Sequence, residues 1–217
     1  MRRIAAGLIV IMSVLLVSCK GKTGNTITVG SDKLDNTQSY FSESMHKAAR
    51  CDSGYYYLDK CGASADNLMF YDDKSEESIV LCNKPQCGHD GEECMAYISG
   101  SEFKSELYYY NSYIYMISSK GNLVRISADG TQRTDLGSIC VLSGQDSVSM
   151  CFNDGYAYVS QEITGDIEGN VTVRLHRFNL DTGLSDKIYE ETGYGIGINS
   201  LKTYGSDTFF LKTSVSK

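Results

Sequence analysis

Residues 155–159 read Gly-Tyr-Ala-Tyr-Val, and residues 175–183 read Leu-His-Arg-Phe-Asn-Leu-Asp-Thr-Gly. Tyrosines at alternate positions are typical of a β-strand, and the second stretch is a strand that runs into an Asp/Gly turn. A third strand is predicted at residues 186–189. Strands of this kind, joined in order by short turns, predict an antiparallel meander.

The same three-strand unit recurs along the chain. Its opening strands are predicted at residues 54–58, 112–116, 155–159 and 207–211, its second strands at 68–71, 123–126 and 175–178, and its third strands at 78–81, 132–136 and 186–189. A meander that repeats roughly every 40 to 50 residues is typical of propeller blades. The alternative interpretation is a β-sandwich whose strands only look alike.

The predicted fold class is therefore all-β, with repeated antiparallel meander blades of the β-propeller type. The sequence contains three blades and the opening strand of a fourth, whereas closed propellers have about four to eight. We therefore expect a truncated propeller. A rival hypothesis is an open stack of three blades that a partner completes.

Two stretches carry a resemblance to a known family. Residues 107–115, Leu-Tyr-Tyr-Tyr-Asn-Ser-Tyr-Ile-Tyr, and residues 175–183 resemble the blades of bacterial surface lipoproteins with a propeller domain of unknown function, which are related to the YWTD-type propellers of lipoprotein receptors. The resemblance covers about residues 54–217. It implies a binding scaffold and transfers no catalytic residue.

The N-terminus has the features of a bacterial lipoprotein signal. Arg2 and Arg3 precede an apolar run over residues 4–17, which is shorter than the roughly 20 residues of a transmembrane helix, and Ser18-Cys19 resembles a lipobox. We expect residues 1–18 to be removed as a signal peptide and Cys19 to be diacylated, which places the protein on the bacterial cell envelope, outside the cytoplasm. An ordinary secretory signal is the alternative.

Residues 19–50 are predicted to form a lipid-anchored flexible tether, with one short helix over residues 39–50, and residues 51–217 to form the partial propeller domain. The formal net charge of −7 disfavours nucleic acid as a partner, because no excess of basic residues attracts phosphates.

The sharpest local motif is the Cys-rich insertion over residues 82–94, C-x4-C-x-H-x4-C. Cys82, Cys87, His89 and Cys94 form a complete donor set for a structural zinc ion. Outside the cytoplasm, cysteines in an inserted loop also pair as disulfides, so disulfides with one free thiol, or a reactive thiol, are alternatives. If the four residues hold a metal, the remaining thiols leave two disulfides, Cys51–Cys61 and Cys140–Cys151.

No catalytic residues are predicted. Adjacent acids such as Glu92-Glu93 fit solvated turns, and the tyrosines at 55–57 and 108–110 either pack between blades or contact a ligand. We expect a binding or scaffold module for a peptide, glycan or protein. The alternatives are a hydrolase or lyase that acts on polysaccharide or peptide, with its active site partly in missing blades, and a gene remnant without function.

Overall fold

A computed structural model describes residues 48–103, 106–165 and 169–215. All regular elements in these ranges are β-strands, so the predicted all-β class is confirmed. No helix within them is long and apolar enough to cross a membrane. The predicted signal peptide, Cys19 and most of the predicted tether lie outside the described residues.

The strands form four antiparallel sheets, which we number I to IV in chain order. Sheet I contains β1 (Ala48–Cys51), β2 (Gly54–Lys60), β3 (Ala65–Asp72), β4 (Glu77–Val80) and β5 (Tyr97–Ser99). Sheet II contains β6 (Tyr108–Tyr110), β7 (Tyr113–Ile117), β8 (Asn122–Ser127) and β9 (Arg133–Ser138). Sheet III contains β10 (Ser147–Asn153), β11 (Tyr156–Thr164), β12 (Asn170–Asn179) and β13 (Ser185–Tyr194), and sheet IV contains β14 (Gly197–Tyr204) and β15 (Asp207–Thr213).

The repeated meander is confirmed. Sheets II to IV each have one strand more than the sequence predicted, and sheet I has two more, β1 and β5. The predicted opening strands are the second strands of their sheets, and β1, β6, β10 and β14 precede them. The helix predicted over residues 39–50 is wrong at its end, because Ala48–Cys51 pairs with β2 as a strand. The first two added strands have only four and three residues, too few for an alternating pattern to stand out.

Two-residue turns join the first two strands of each sheet. In the turns Asn111-Ser112 and Asp154-Gly155, both residues have positive φ, between 46° and 78°. This conformation matches the twist of paired strands, and Asn, Asp and Gly adopt it at low cost. Equivalent positions in the four sheets can therefore be assigned by counting along the second strand from the first residue after this turn, which is Gly54, Tyr113, Tyr156 or Asp207.

Consecutive sheets pack face to face. We call the face that a sheet turns toward the preceding sheet its leading face, and the opposite face its trailing face. Between sheets I and II the core includes Tyr56, Leu68 and Phe70 on one side and Ile114, Met116 and Ile126 on the other. Between sheets II and III, Tyr108, Tyr110 and Tyr115 surround the ring of Phe152. Two smaller clusters join sheet III to Ile196, Ile198 and Leu201.

Candidate metal centre and adjacent cleft

The Cys-rich segment interrupts the outer edge of sheet I. Strand β3 pairs with β4 along residues 69–72 and with β5 along residues 65–67, so two strands share one edge. Leu68 lies between these stretches, and it holds both ends of the interruption. Its carbonyl accepts from the N–H of Leu81 at 2.8 Å, and its N–H donates to the carbonyl of Ala96 at 2.8 Å. Residues 82–94 therefore leave and re-enter the sheet at one point.

Short turns inside the segment fold it onto itself. The N–H of Cys87 donates to the carbonyl of Lys84, that of Cys94 donates to Gly91, and the ammonium of Lys84 donates to the carbonyl of Glu93. His89 has a φ of 58°, an uncommon backbone conformation for a residue with a side chain. These contacts turn the side chains of the motif toward one another.

The structure brings the four predicted ligands together. One donor atom from each of Cys82, Cys87, His89 and Cys94 lies within 4.8 Å of all the others, and His89 Nδ1 lies 3.3 Å from Cys94 Sγ. Tetrahedral zinc with ordinary bond lengths would separate such donors by about 3.6–3.8 Å, which is compatible with this spacing. The cluster could bind a metal ion.

The environment of the cluster affects two thiols in opposite ways. Burial, together with the neighbouring thiols of Cys82 and Cys87, raises the pKa of the Cys94 thiol to about 12, against a hydrogen bond from the backbone of Ala96 that lowers it. Burial also acts on Cys82, but hydrogen bonds from the backbone of Lys84 and Met95 and from the other two thiols outweigh it and lower the pKa of Cys82. A divalent cation would compensate for the burial, because it stabilises thiolates.

The structure does not bring the other predicted cysteine pairs together, and all seven described cysteines are free thiols. Cys51 pairs with Gly54 at one end of β2, whereas Cys61 follows the other end. The two are about 20 Å apart at the ordinary rise of a strand, far more than the roughly 4–7 Å between α-carbons that a disulfide needs.

Cys140 and Cys151 lie on opposite sides of sheet III. Cys140 belongs to the core between sheets II and III, together with Met150 and Phe152. Cys151 stands between these two residues in β10, so its side chain points to the other face, where it packs against Leu175 and Leu201. A disulfide between Cys140 and Cys151 would have to pass through the sheet and is not formed in this fold.

A cleft lies between the Cys-rich segment, β5 and sheet II. Its volume is about 510 Å³, within the range of small-molecule sites. Its lining is polar and is formed by Glu92, Tyr97, Ser99, Ser101, Glu102, Ser119 and Arg133. Because Glu92 lies between two of the candidate ligands, one wall of the cleft belongs to the candidate metal loop.

Arg133 organises the floor of this cleft. Its guanidinium donates to the carbonyl of Tyr97 at 2.9 Å and forms an ion pair with Glu102. The carbonyl of Glu102 also accepts from the N–H of Ser119 at 2.6 Å. These contacts connect β9 of sheet II to the end of sheet I, so the cleft is built before a ligand enters it.

The sequence predicted the four cluster residues but not the cleft. Its lining residues are spread over residues 92–133 and belong to no motif, and Glu92 was assigned to a solvated turn. The missing signal was the division of one sheet edge between β4 and β5, which places Tyr97 and Ser99 beside Arg133. Cys19, the predicted lipidation site, lies outside the described residues.

No protein-family model matches this chain, and no curated protein is significantly similar to it.

Proposed function

We propose that this protein is a lipid-anchored binding module of the bacterial cell envelope, built as part of a β-propeller, and that it binds a glycan without catalysis. The cleft beside the Cys-rich segment is the observation that carries this proposal. The N-terminal sequence supports the anchor and the envelope location. The repeated meander sheets and the resemblance of residues 107–115 and 175–183 to lipoprotein blades support the propeller.

The composition of the cleft favours a glycan over the other ligands that the sequence left open. Ser99, Ser101 and Ser119 supply hydroxyls that both donate and accept hydrogen bonds, and Glu92 supplies acceptors for the hydroxyls of a sugar. Tyr97 adds an aromatic ring against which the apolar face of a pyranose can pack. A peptide that relies on apolar anchors would find few of them here.

The candidate metal centre has a structural role in this proposal. Cys82, Cys87, His89 and Cys94 would hold zinc with all four positions occupied by protein, which is the arrangement of structural rather than catalytic sites. The ion would fix the loop that carries Glu92 and with it one wall of the cleft. Zinc therefore supports ligand binding without contacting the ligand.

Isothermal titration of the full chain with cellotriose, maltotriose and chitotriose tests this function. We expect saturable binding of at least one of them and a loss of affinity of about tenfold or more in Glu92→Gln and Ser99→Ala, since each removes hydrogen bonds to the ligand. Ser75→Ala, a change in the exposed turn after β3, is the matched control. Absence of binding to all three, or equal binding by all variants, would contradict the proposal.

Chromatography of the sugars after incubation separates binding from turnover. Unchanged oligosaccharides are expected, whereas shorter products would favour the hydrolase or lyase alternative. Removal of zinc with a chelator is expected to weaken saccharide binding in the native chain, because the wall that carries Glu92 loses its anchor.

A further inference from the structure

The two carboxylates that line the cleft differ in whether a cation neutralises them. Glu102 forms an ion pair with the guanidinium of Arg133. Glu92, on the wall that the Cys-rich segment forms, has no lysine or arginine within ion-pairing distance in the part of the chain that the structure describes. The described residues therefore leave one negative charge of the cleft uncompensated.

Arg133 does not supply the missing positive charge, because its guanidinium is already engaged. It donates to the carbonyl of Tyr97 at 2.9 Å and pairs with Glu102, and its central carbon lies 5.4 Å from the ring centre of Phe103. A carboxylate on a ligand would have to displace Glu102 to bind this guanidinium. An acidic sugar therefore finds no free cation among the lining residues.

The loop beside the cleft adds further negative charge. Residues 82–94 contain three carboxylates and a single ammonium, that of Lys84. This ammonium donates to the carbonyl of Glu93 and does not line the cleft. Lys120, which follows the lining residue Ser119, is exposed and also lies outside the lining. A cleft with walls of low dielectric concentrates the field of such charges, so its interior attracts cations.

We infer, on the basis of the proposed glycan-binding function, that the glycan carries a protonated amino group, as in an amino sugar whose nitrogen is not acetylated, and that Glu92 selects it. The ammonium of the sugar donates charge-assisted hydrogen bonds to the Glu92 carboxylate, which are stronger than hydrogen bonds from a neutral hydroxyl. The serine hydroxyls of the cleft bind the neutral hydroxyls of the same sugar. Affinity therefore decreases from amino sugars to neutral sugars to acidic sugars.

Isothermal titration of the full chain with three matched trisaccharides tests this order. Triglucosamine, cellotriose and triglucuronic acid share their linkage and ring configuration and differ in carrying an ammonium, no charge or a carboxylate. At about pH 6 the amino groups are protonated and the uronic acids are ionised. We expect triglucosamine to bind about tenfold more tightly than cellotriose, and triglucuronic acid to bind more weakly than either. High salt should reduce the first difference, because ions screen the attraction.

Two variants assign the preference to one carboxylate. Glu92→Gln keeps the shape of the side chain and removes its charge, so the ratio of the affinities for triglucosamine and cellotriose should fall to about one. Glu93→Gln is the matched control, because it removes the same charge from an exposed neighbour that does not line the cleft, and it should retain the preference. The ratio is independent of any loss of folded protein, since both sugars are titrated into the same preparation.

The outcomes separate this specificity from the function on which it rests. Equal binding of triglucosamine and cellotriose by the native chain, or a preference that Glu92→Gln retains, would overturn the inference and leave glycan binding intact. Absence of binding to every saccharide would overturn both. Trilysine serves as a probe without sugar, and its binding in the absence of saccharide binding would likewise overturn both, because the cleft would then recognise a cationic peptide.

Discussion

The backbone of Gly130 lies directly against that of Leu81, so that a β-carbon on Gly130 would stand 2.7 Å from the Leu81 carbonyl oxygen and 3.0 Å from the nitrogen of Cys82. The carbonyl of Gly130 also accepts from the N–H of Asn83 at 3.2 Å. The turn between β8 and β9 thus supports the chain where the candidate metal loop begins. Only glycine fits this contact, and its φ of 69° favours glycine as well.

Substitution Gly130→Ala is expected to destabilise the protein by about 3 kcal/mol or more, because it combines left-handed backbone strain with a steric clash. Gly155→Ala is the matched control, since Gly155 has a φ of 78° but no atom within 4 Å of its β-position. It should cost only about 1–2 kcal/mol of strain. Urea unfolding of the two variants and the native chain measures both values, and equal losses would show that the contact with Leu81 is unimportant.

Loss of one candidate ligand should remove the metal. In Cys87→Ser the side chain keeps nearly the same volume, so we expect the fold to persist while zinc, measured by elemental analysis, falls from about one ion per chain to a small fraction. A chelator should lower the unfolding midpoint of the native chain and leave that of the variant unchanged, because a ligand stabilises only the state that binds it. Cys61→Ser, at an exposed thiol outside the cluster, should retain the zinc. Equal zinc content in both variants would contradict the assignment.

Thiol labelling without reductant should find no disulfide among the described cysteines. Cys61 is exposed and should react with iodoacetamide in the native protein, whereas Cys51, Cys140 and Cys151 are buried and should react only after denaturation. Burial also raises the pKa of Cys140 to about 11 and that of Cys151 to about 12, which further slows their alkylation. Mass spectrometry of the alkylated chain counts the labels, and a denatured chain that lacks labels at Cys140 and Cys151 would indicate the disulfide that the sheet geometry excludes.

The sequence predicted the repeated strands because they are local patterns. The alternating residues and the Asp/Gly turns are set by neighbouring positions in the sequence. The structure has strands where this alternation predicted them, at Tyr113, Tyr156 and Thr208. The short edge strands β1 and β6 were missed because three or four residues contain too little alternation to detect. Their strand structure depends on pairing with β2 and β7, which is information from the fold rather than from the local sequence.

In the candidate site, too, the sequence predicted the part that is local and missed the part that depends on distant residues. The four residues of the Cys-rich motif lie within thirteen positions, so their spacing alone suggested a common ligand. The predicted pair Cys140–Cys151 is not brought together, because the prediction counted thiols without knowing which face of a strand each one occupies. The side chain of Cys151 points away from Cys140. The cleft required the contact of Arg133 with Glu102, two residues 31 positions apart, which no pattern in the sequence marks.

Replacement of Phe152 tests the core between sheets II and III. Phe152 is fully buried, and the rings of Tyr115 and Tyr110 lie 4.6 Å and 5.0 Å from it between centroids. Phe152→Ala should therefore cost about 3–5 kcal/mol in the free energy of unfolding, since it leaves a cavity among aromatic residues. Phe178→Leu, at a buried position of the same core, keeps most of the volume and should cost clearly less. A loss below about 1 kcal/mol in Phe152→Ala would mean that the two sheets do not pack through this ring.

His176 should make the stability of the protein depend on pH. It is buried in sheet III, where its Nε2 lies 3.2 Å from Gln161 Oε1. The amide nitrogen of Gln161 donates to the carbonyl of Val141 and to the carboxylate of Asp146, so the amide oxygen remains as the acceptor for the His176 N–H. Burial lowers the pKa of His176, and the charges of Arg174 and Lys187 lower it further, against an opposing effect of Glu190.

The sign of the effect follows from this lowered pKa. Above the unfolded value of about 6.5, His176 is neutral in both states and the protein keeps its full stability. As the pH falls below about 6.5, the unfolded chain binds a proton that the folded chain does not, so the free energy of unfolding decreases until the pH reaches the folded pKa. In His176→Gln this contribution is absent, and the difference between the native chain and the variant should shrink between pH 7.5 and 5. Urea unfolding at several pH values measures that difference, in which contributions that the two chains share cancel. A difference that does not change with pH would show that His176 is protonated equally in the folded and unfolded states.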